Sequence, residues 1–238
     1  MTPVLELCSV SAGYGPFHAL FDVSIAIEPG QAVALLGANG VGKTTVARVA
    51  SGLVAPQRGA VMVAGQDLTG AAPHLFARAG VAHAVEGRSV FASLSVEDNL
   101  RLSFRRTFGA RKVAGALASA YEQFPILARR RSQLAGHLSG GEQRMLSIAR
   151  VLVEKPALLI ADELSLGLAP IIVDSIYEQL RRLREAGTSL LIVEQQVTHA
   201  LELCDRALLL DHGSIVWEGI PEEAGELIAT RIFDHGTG

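Results

Sequence analysis

The sequence predicts an α/β fold with a mainly parallel core sheet, an antiparallel β patch and a helical lobe. Three observations predict it. Apolar runs of buried-strand length at residues 32–36, 81–85, 157–161 and 189–193 are separated by stretches of helical period. Three short segments, residues 4–10, 21–27 and 61–64, read as early strands beside the first of those runs. Between the runs at 81–85 and 157–161, residues 92–137 read as helices, a lobe inserted in the core and not an independent domain. All 238 residues thus form a single domain, with 1–91 and 138–238 as core and patch.

Composition excludes several classes. Hydrophobic residues are 49% and charged residues 19%, the balance of an ordered globular chain. A mean hydropathy of +0.32 is high, yet no apolar stretch approaches the ~18 residues of a membrane span. Residues 1–10 lack a basic start followed by an apolar segment, so the chain is expected to stay in the cytoplasm. With net charge −3 and only the short cluster Arg129, Arg130 and Arg131, nucleic acid is not expected as the main partner. Cys8 and Cys204 are far apart and are expected to be reduced, outside any disulfide or metal site.

In chain order, residues 4–10 form a first strand, and Tyr14 follows in a glycine-flanked turn. In the strand at 21–27, alternation puts Phe21, Val23, Ile25 and Ile27 on one buried face. The strand at 32–36 leads into G-A-N-G-V-G-K-T-T at 37–45, which fits G-x-x-x-x-G-K-[ST], and a helix continues over 46–53. Glycines let successive backbone N–H groups curl around phosphate oxygens, and the helix aims its positive end at the same anion. The candidate nucleotide-binding residues here are Gly37, Asn39, Gly40, Gly42, Lys43, Thr44 and Thr45. Lys43 is suited to the β- and γ-phosphates and the Thr44 hydroxyl to Mg²⁺. A buried lysine in such a turn would be costly without an anion.

Residues 56–59 form a loop, 61–64 a short strand ending at Gly65, and 81–85 a strand ending in Glu86-Gly87-Arg88. Ser95 to Asp98 resembles a capping box, after which Val96, Leu100 and Phe104 share a helical face. A helix over 112–124 puts Val113, Leu117 and Phe124 on its apolar side, and Pro125 stops it. L-S-G-G-E-Q-R at 138–144 opens a helix to about residue 155. Its residues Ser139, Gly140 and Gly141 read equally well as a second anion-binding turn and as an ordinary serine N-cap.

The strand at 157–161 ends in Asp162 and Glu163, two acids at the rim where open α/β sheets bind ligands. They also fit helix-cap chemistry. Beside a phosphate-binding loop, Asp162 is assigned to Mg²⁺ and Glu163 to deprotonating the attacking water. A helix follows over 170–185, with Ile172, Ile176, Leu180 and Leu183 on one face. The strand at 189–193 leads to Glu194, Gln195 and Gln196, and 206–210 pairs with 214–217 as a hairpin. Residues 235–238 are expected to fray.

Together, the loop at 37–45, L-S-G-G-E-Q at 138–143 and A-L-L-I-A-D-E at 157–163 resemble the ATP-binding cassette (ABC) ATPases, over essentially the whole chain. The resemblance implies ATP and Mg²⁺ as cofactors and a head-to-tail dimer, homo- or heterodimeric. ATP would lie between the 37–45 loop of one subunit and Ser139, Gly140 and Gly141 of the other. It places Tyr14 where the family stacks an aromatic ring on adenine, beside the reading of Tyr14 as a turn aromatic packed on the sheet. The loop Ser165 to Leu168 would cross the dimer interface.

A narrower resemblance rests on Glu86-Gly87-Arg88 with Val90-Phe91, S-L-G-L-A-P at 165–170, and Val193-Glu194-Gln195. These residues are similar to the smaller ATPase of branched-chain amino-acid importers; related urea and short-amide importers use similar cassettes. The resemblance implies transmembrane permease subunits as direct partners, docking near the lobe and the Glu86 loop. An extracytoplasmic binding protein follows as an indirect partner, and the cytoplasmic face of the inner membrane as the location. Glu86 stands where most cassettes have Gln contacting Mg²⁺ and water, and Gln195 where most have a His contacting the γ-phosphate. The narrower group shares both. Leu164 stands where that group has Pro, freeing φ beside the proposed base, which predicts slower or less ordered hydrolysis.

Two other readings compete. DNA-repair cassettes carry a long coiled coil between the two glycine motifs, and no heptad-bearing insertion fits between Thr45 and Leu138. Translation cassettes usually carry two phosphate-binding loops, and this chain has one. An ATP clamp that barely hydrolyses is argued against by Glu163 and slightly favoured by Leu164.

Overall fold

The computed structural model describes residues 2–84, 90–153 and 155–224. They divide into two compact units.

The first unit comprises Met1–His83, Ala157–Glu163 and Arg184–Gly238. Strand β1 (Leu5–Tyr14) pairs antiparallel with β2 (Phe17–Ile27). Next come β3 (Ala32–Leu36), helix α1 (Lys43–Ala50), β4 (Arg58–Val63), the two-residue β5 (Gln66–Asp67), α2 (Pro73–Arg78) and β6 (Val81–Ala84). Four strands form one sheet in the order β2-β1-β4-β5, antiparallel throughout. This is the patch expected from the early alternating segments.

The rest of the chain supplies α3 (Val96–Phe108), α4 (Val113–Gln123), α5 (Pro125–Arg129), α6 (Gly140–Leu152), β7 (Leu158–Asp162) and α7 (Pro170–Glu185). It ends with β8 (Ser189–Glu194), α8 (Val197–Leu203), β9 (Arg206–Asp211) and β10 (Ser214–Gly219). A six-stranded sheet runs β10-β9-β3-β8-β7-β6. Strands β3, β7, β8 and β9 are parallel, and β10 closes as an antiparallel hairpin on β9. That hairpin turns on His212 (φ 45°) and Gly213 (φ 79°), the two left-handed residues its tight loop requires.

Strands β3, β7 and β8 are buried on both faces, as parallel strands covered on both sides must be. Helix α1 contacts β1 and β2 of one sheet and β7 and β8 of the other. Its Val46, Ala47, Val49 and Ala50 lie in the core cluster with Leu5, Leu20, Val33, Leu158 and Leu191. Burial of this apolar area holds the helix, and so the start of α1, in one place.

The second unit comprises Ala84–Pro156 and Leu164–Leu183. Helices α3, α4, α5 and α6 pack on one another there. Ser95 caps α3 by accepting from the Asp98 N–H, and Val96, Leu100 and Phe104 are fully buried on the face that period predicts.

Several details differ from the sequence reading, among them the start of β4 at Arg58, inside the loop expected at 56–59. Tyr14 is not in a turn but is the last residue of β1, paired with Phe17 across Gly15 and Pro16. Phe21 points outward, 49% exposed, because Asp22 takes a left-handed φ of 52° and shifts the alternation by one. Leu20 takes the buried place instead. Pro125 not only ends α4 but opens α5, its fixed φ suiting a first helical position. Helix α1 begins at Lys43, earlier than expected, and ends at Ala50. The strand expected to reach residue 85, and the fraying expected of 235–238, extend outside the described residues. Among the described residues no helix is long and apolar enough to cross a membrane.

Candidate nucleotide site

Parallel register sets the site. Leu36 pairs with Glu194, and Asp162 with Val193, so β3, β7 and β8 end at one edge of the sheet. The glycine loop leaves β3 there, and Asp162 and Glu163 leave β7 there.

The loop needs glycine at two of its positions. At Gly42 (φ 111°) a Cβ would sit 2.8 Å from the Ala19 carbonyl oxygen, and at Gly37 it would sit 2.4 Å from that of Leu210. Both positions are closed by the chain's own backbone. Asn39 and Gly40 form the exposed tip, beside a groove lined by His18, Phe21 and His212.

Lys43 is 3% exposed and folds back on its own loop. Its Nζ donates to the Gly37 and Ala38 carbonyls at 3.0 and 2.9 Å and lies 3.6 Å from Glu163 Oε1. Burial lowers its pKa, and the Glu163 carboxylate opposes that shift. The chain therefore supplies the counter-charge that an anion was expected to supply. Thr44 Oγ1 is 3.5 Å from Asp162 Oδ1, and Thr45 is buried in the first turn of α1. Glu163 holds a left-handed φ of 47°, and its N–H donates to the Val193 carbonyl at 2.9 Å. A non-glycine residue in that region is strained, and here it follows a fully buried strand.

The donors suit a hard divalent cation. A hydroxyl and a carboxylate face one another, Asp162 is 1% exposed, and its Oδ2 has no hydrogen-bond partner among the described residues. Thr44 and Asp162 would hold such an ion.

The other candidates are Tyr14, Gln195 and Glu86. Tyr14 is 43% exposed, and its hydroxyl accepts from Arg48 Nη1 at 3.1 Å while the guanidinium lies 6.0 Å from its ring. Gln195 is exposed, one residue beyond β8. Glu86 lies outside the described residues. Leu164, after the acid pair, is a buried core residue at 2% exposure. His83 was not singled out from the sequence, where a lone histidine in an apolar run gives no signal. It stands 3.7 Å from Asp162.

In the second unit, Ser139 caps α6 in a full capping box. Its Oγ accepts from the Glu142 N–H at 3.3 Å, and Glu142 Oε2 accepts from the Ser139 N–H at 2.9 Å. Arg130 Nε donates to Glu142 Oε1 at 3.1 Å. Among the described residues, exposed Gly140 has open space where a Cβ would go, and at Gly141 a Cβ would make ordinary contact with the side chains of Ile172 at 3.5 Å and Leu168 at 3.9 Å.

A family model described as "ABC transporter" matches residues 20–165. The high-affinity branched-chain amino acid transport ATP-binding protein BraG of Pseudomonas aeruginosa is 41% identical over 213 residues, covering 90% of this chain and 91% of BraG. The lipopolysaccharide export system ATP-binding protein LptB of Haemophilus influenzae is 32% identical over 222 residues, covering 92% of each chain. A solved structure of an ATP-binding subunit of an ABC transporter superposes with a TM-score of 0.84 at 28% identity, covering 98% of this chain and 97% of that one. With a glycine loop between a strand and a helix, an acid pair at the same sheet edge and a family match over more than half its length, the chain belongs to the ABC transporter ATP-binding family and is an ATPase.

Proposed function

We propose that this ATPase drives import of branched-chain amino acids, as one half of a head-to-tail ATP-sandwich dimer at the cytoplasmic face of the inner membrane. The observation that carries the dimer is the state of Gly140 and Gly141. Among the described residues no contact requires glycine at either place, as expected where a nucleotide held by another subunit must approach. Similarity to BraG over nine-tenths of both chains supports the cargo class.

In this reading the γ-phosphate and Glu163 compete for Lys43. An arriving phosphate takes the ammonium, and Glu163, released from Lys43, orients and deprotonates water. Mg²⁺ held by Thr44 and Asp162 would offset charge on the β- and γ-oxygens. Tyr14 would leave Arg48 to stack on adenine, Gln195 would donate to the γ-phosphate, and Asn39, Gly40 and Thr45 would complete the phosphate cradle. Glu86 is proposed beside Mg²⁺ and water. The lobe at 92–137 would meet the permease subunits, and the extracytoplasmic binding protein would act through them.

A Glu163→Gln chain tests the dimer. Light scattering with MgATP should give twice the 25.1 kDa subunit mass, whereas a persistent monomer would count against the sandwich. Similarity to LptB favours a second reading, export. In vesicles carrying the permease pair with the ATPase outside, ATP-dependent release of preloaded leucine toward the ATPase side supports import, and ATP-dependent uptake away from it supports export.

A further inference from the structure

Asp162 presents one oxygen to Thr44, and its other oxygen faces a residue with no assigned role. His83, at the penultimate position of β6, has a side chain 6% exposed, with Nε2 3.7 Å from Asp162 Oδ2. Neither atom has a hydrogen-bond partner among the described residues. The other ring nitrogen is engaged: Nδ1 lies 2.9 Å from Ser51 Oγ. Ser51 is the C-cap of α1, the helix that begins with Lys43 and Thr44.

The hydroxyl of Ser51 has one hydrogen and three neighbours, since the Ala47 and Arg48 carbonyls lie at 2.9 and 3.2 Å. If it donates to a carbonyl, Nδ1 carries the ring proton, and Nε2 turns a bare lone pair toward a buried carboxylate. If it donates to Nδ1, the proton sits on Nε2 and points at Asp162 Oδ2. Only the second arrangement gives the buried carboxylate a donor. At 3.7 Å the bond is not made in this conformation, and the two atoms must approach for it to form.

We propose that His83 is a positioning residue for the metal-facing carboxylate. Fixed by Ser51, it holds Asp162 Oδ2 through Nε2–H and so turns Oδ1 toward Thr44 and the cation. Both ends of α1 then address one carboxylate, Thr44 directly and Ser51 through the imidazole. This rests on the reading of Asp162 as a ligand of the divalent ion. Donors of this kind orient metal ligands, and their loss typically costs about 10- to 100-fold in metal affinity.

The probe is Mn²⁺, titrated by electron paramagnetic resonance against the full chain saturated with a non-hydrolysable ATP analogue. His83→Phe should weaken Mn²⁺ binding about 10-fold or more. His83→Gln, whose amide NH₂ can donate from a similar reach, should restore most of it. Nucleotide affinity in EDTA should be unchanged in both. If His83→Phe does not fold, Ser51→Ala against Ser51→Thr carries the test: alanine should weaken Mn²⁺ binding and threonine should retain it. Wild-type Mn²⁺ affinity in His83→Phe, or in Ser51→Ala where that pair is used, overturns the proposal. So does a glutamine variant no better than phenylalanine. Asp162→Asn separates the two levels. If it binds Mn²⁺ as wild type does, the ligand reading itself fails; if it loses Mn²⁺ while His83→Phe does not, only the role of His83 fails.

Discussion

Two glycine-bearing segments of this chain lie at helix starts, the loop before α1 and the opening residues of α6, and they differ in what their glycines are for. In the loop before α1, added Cβ atoms at Gly37 and Gly42 would strike carbonyl oxygens of Leu210 and Ala19, so the fold itself demands glycine. At the start of α6, Gly140 has open space at the place of a Cβ among the described residues, and Gly141 makes only ordinary contact. The first turn is occupied from within, its Lys43 paired with Glu163 and two carbonyls. In the second, Ser139 and Glu142 satisfy one another and leave the glycine face bare. Local stability explains the first set of glycines. For the second set we propose a reason outside the chain, a nucleotide held by another subunit.

The largest effect that would break this contrast is at Glu163. Glu163→Gln should lower turnover roughly 10²-fold or more while ATP binding survives. Measured turnover within a few-fold of wild type would remove Glu163 as the base and leave the Lys43 contact as a charge pair only.

Exchanging the glycines sharpens the contrast directly. Gly42→Ala should destabilise the chain by about 1–3 kcal/mol, through a left-handed φ and a backbone clash. Gly140→Ala should stay within about 0.5 kcal/mol of wild type in denaturant unfolding. Its turnover in the assembled transporter should nevertheless fall about 10-fold or more, since misplacement near a reacting phosphate is costly. Equal stability losses at the two positions would erase the distinction.

A smaller effect concerns Leu164. Glu163 sits at φ 47°, and a following proline disfavours the compact backbone regions, pushing its neighbour toward extended geometry. Leu164→Pro should therefore release Glu163 from Lys43 and raise turnover several-fold, at the cost of a buried leucine side chain. An unchanged rate in folded protein would show that Leu164 does not slow hydrolysis.

The smallest effect is pH-linked and belongs to the second turn. Burial pushes the Glu142 carboxyl up, but the Ser139 N–H and hydroxyl, with Arg130, outweigh it and hold its pKa below the ordinary 4.5. A carboxylate depressed on folding adds stability that is complete above 4.5 and is lost as pH falls through the folded value. Glu142→Gln should remove that acid-limb slope in thermal melts, about 0.5 kcal/mol or less for so solvent-screened a pair. A slope identical to wild type would mean that the capping box carries no linked proton.

Much of the fold was legible because period and punctuation agree. The strand at 32–36 and the helix at 170–185 have the bounds that their apolar patterns predict. The antiparallel patch followed from alternation, and the Ser95 cap from residue type. What failed was set by single backbone angles or by distant neighbours. Asp22 at φ 52° reversed the facing of Phe21, which no alternation rule foresees. Short elements such as α2, α8 and β5 are too brief to show a period. At the site, spacing brought Lys43 and Thr44 into view, and the acid pair at a strand end suggested Asp162 and Glu163. The Lys43–Glu163 pairing and the approach of His83 depend on β7 and β6 reaching the same sheet as β3, which sequence spacing does not encode.

The central claim is that half of each hydrolytic site comes from a second subunit. ATPase rate per subunit, measured across a wide range of protein concentration alone and with co-purified membrane partners, tests it most directly. The account predicts a rate that rises with concentration, or that emerges only with partners. A constant rate from a well-behaved monomer would contradict it and return Ser139, Gly140 and Gly141 to the role of an ordinary helix cap.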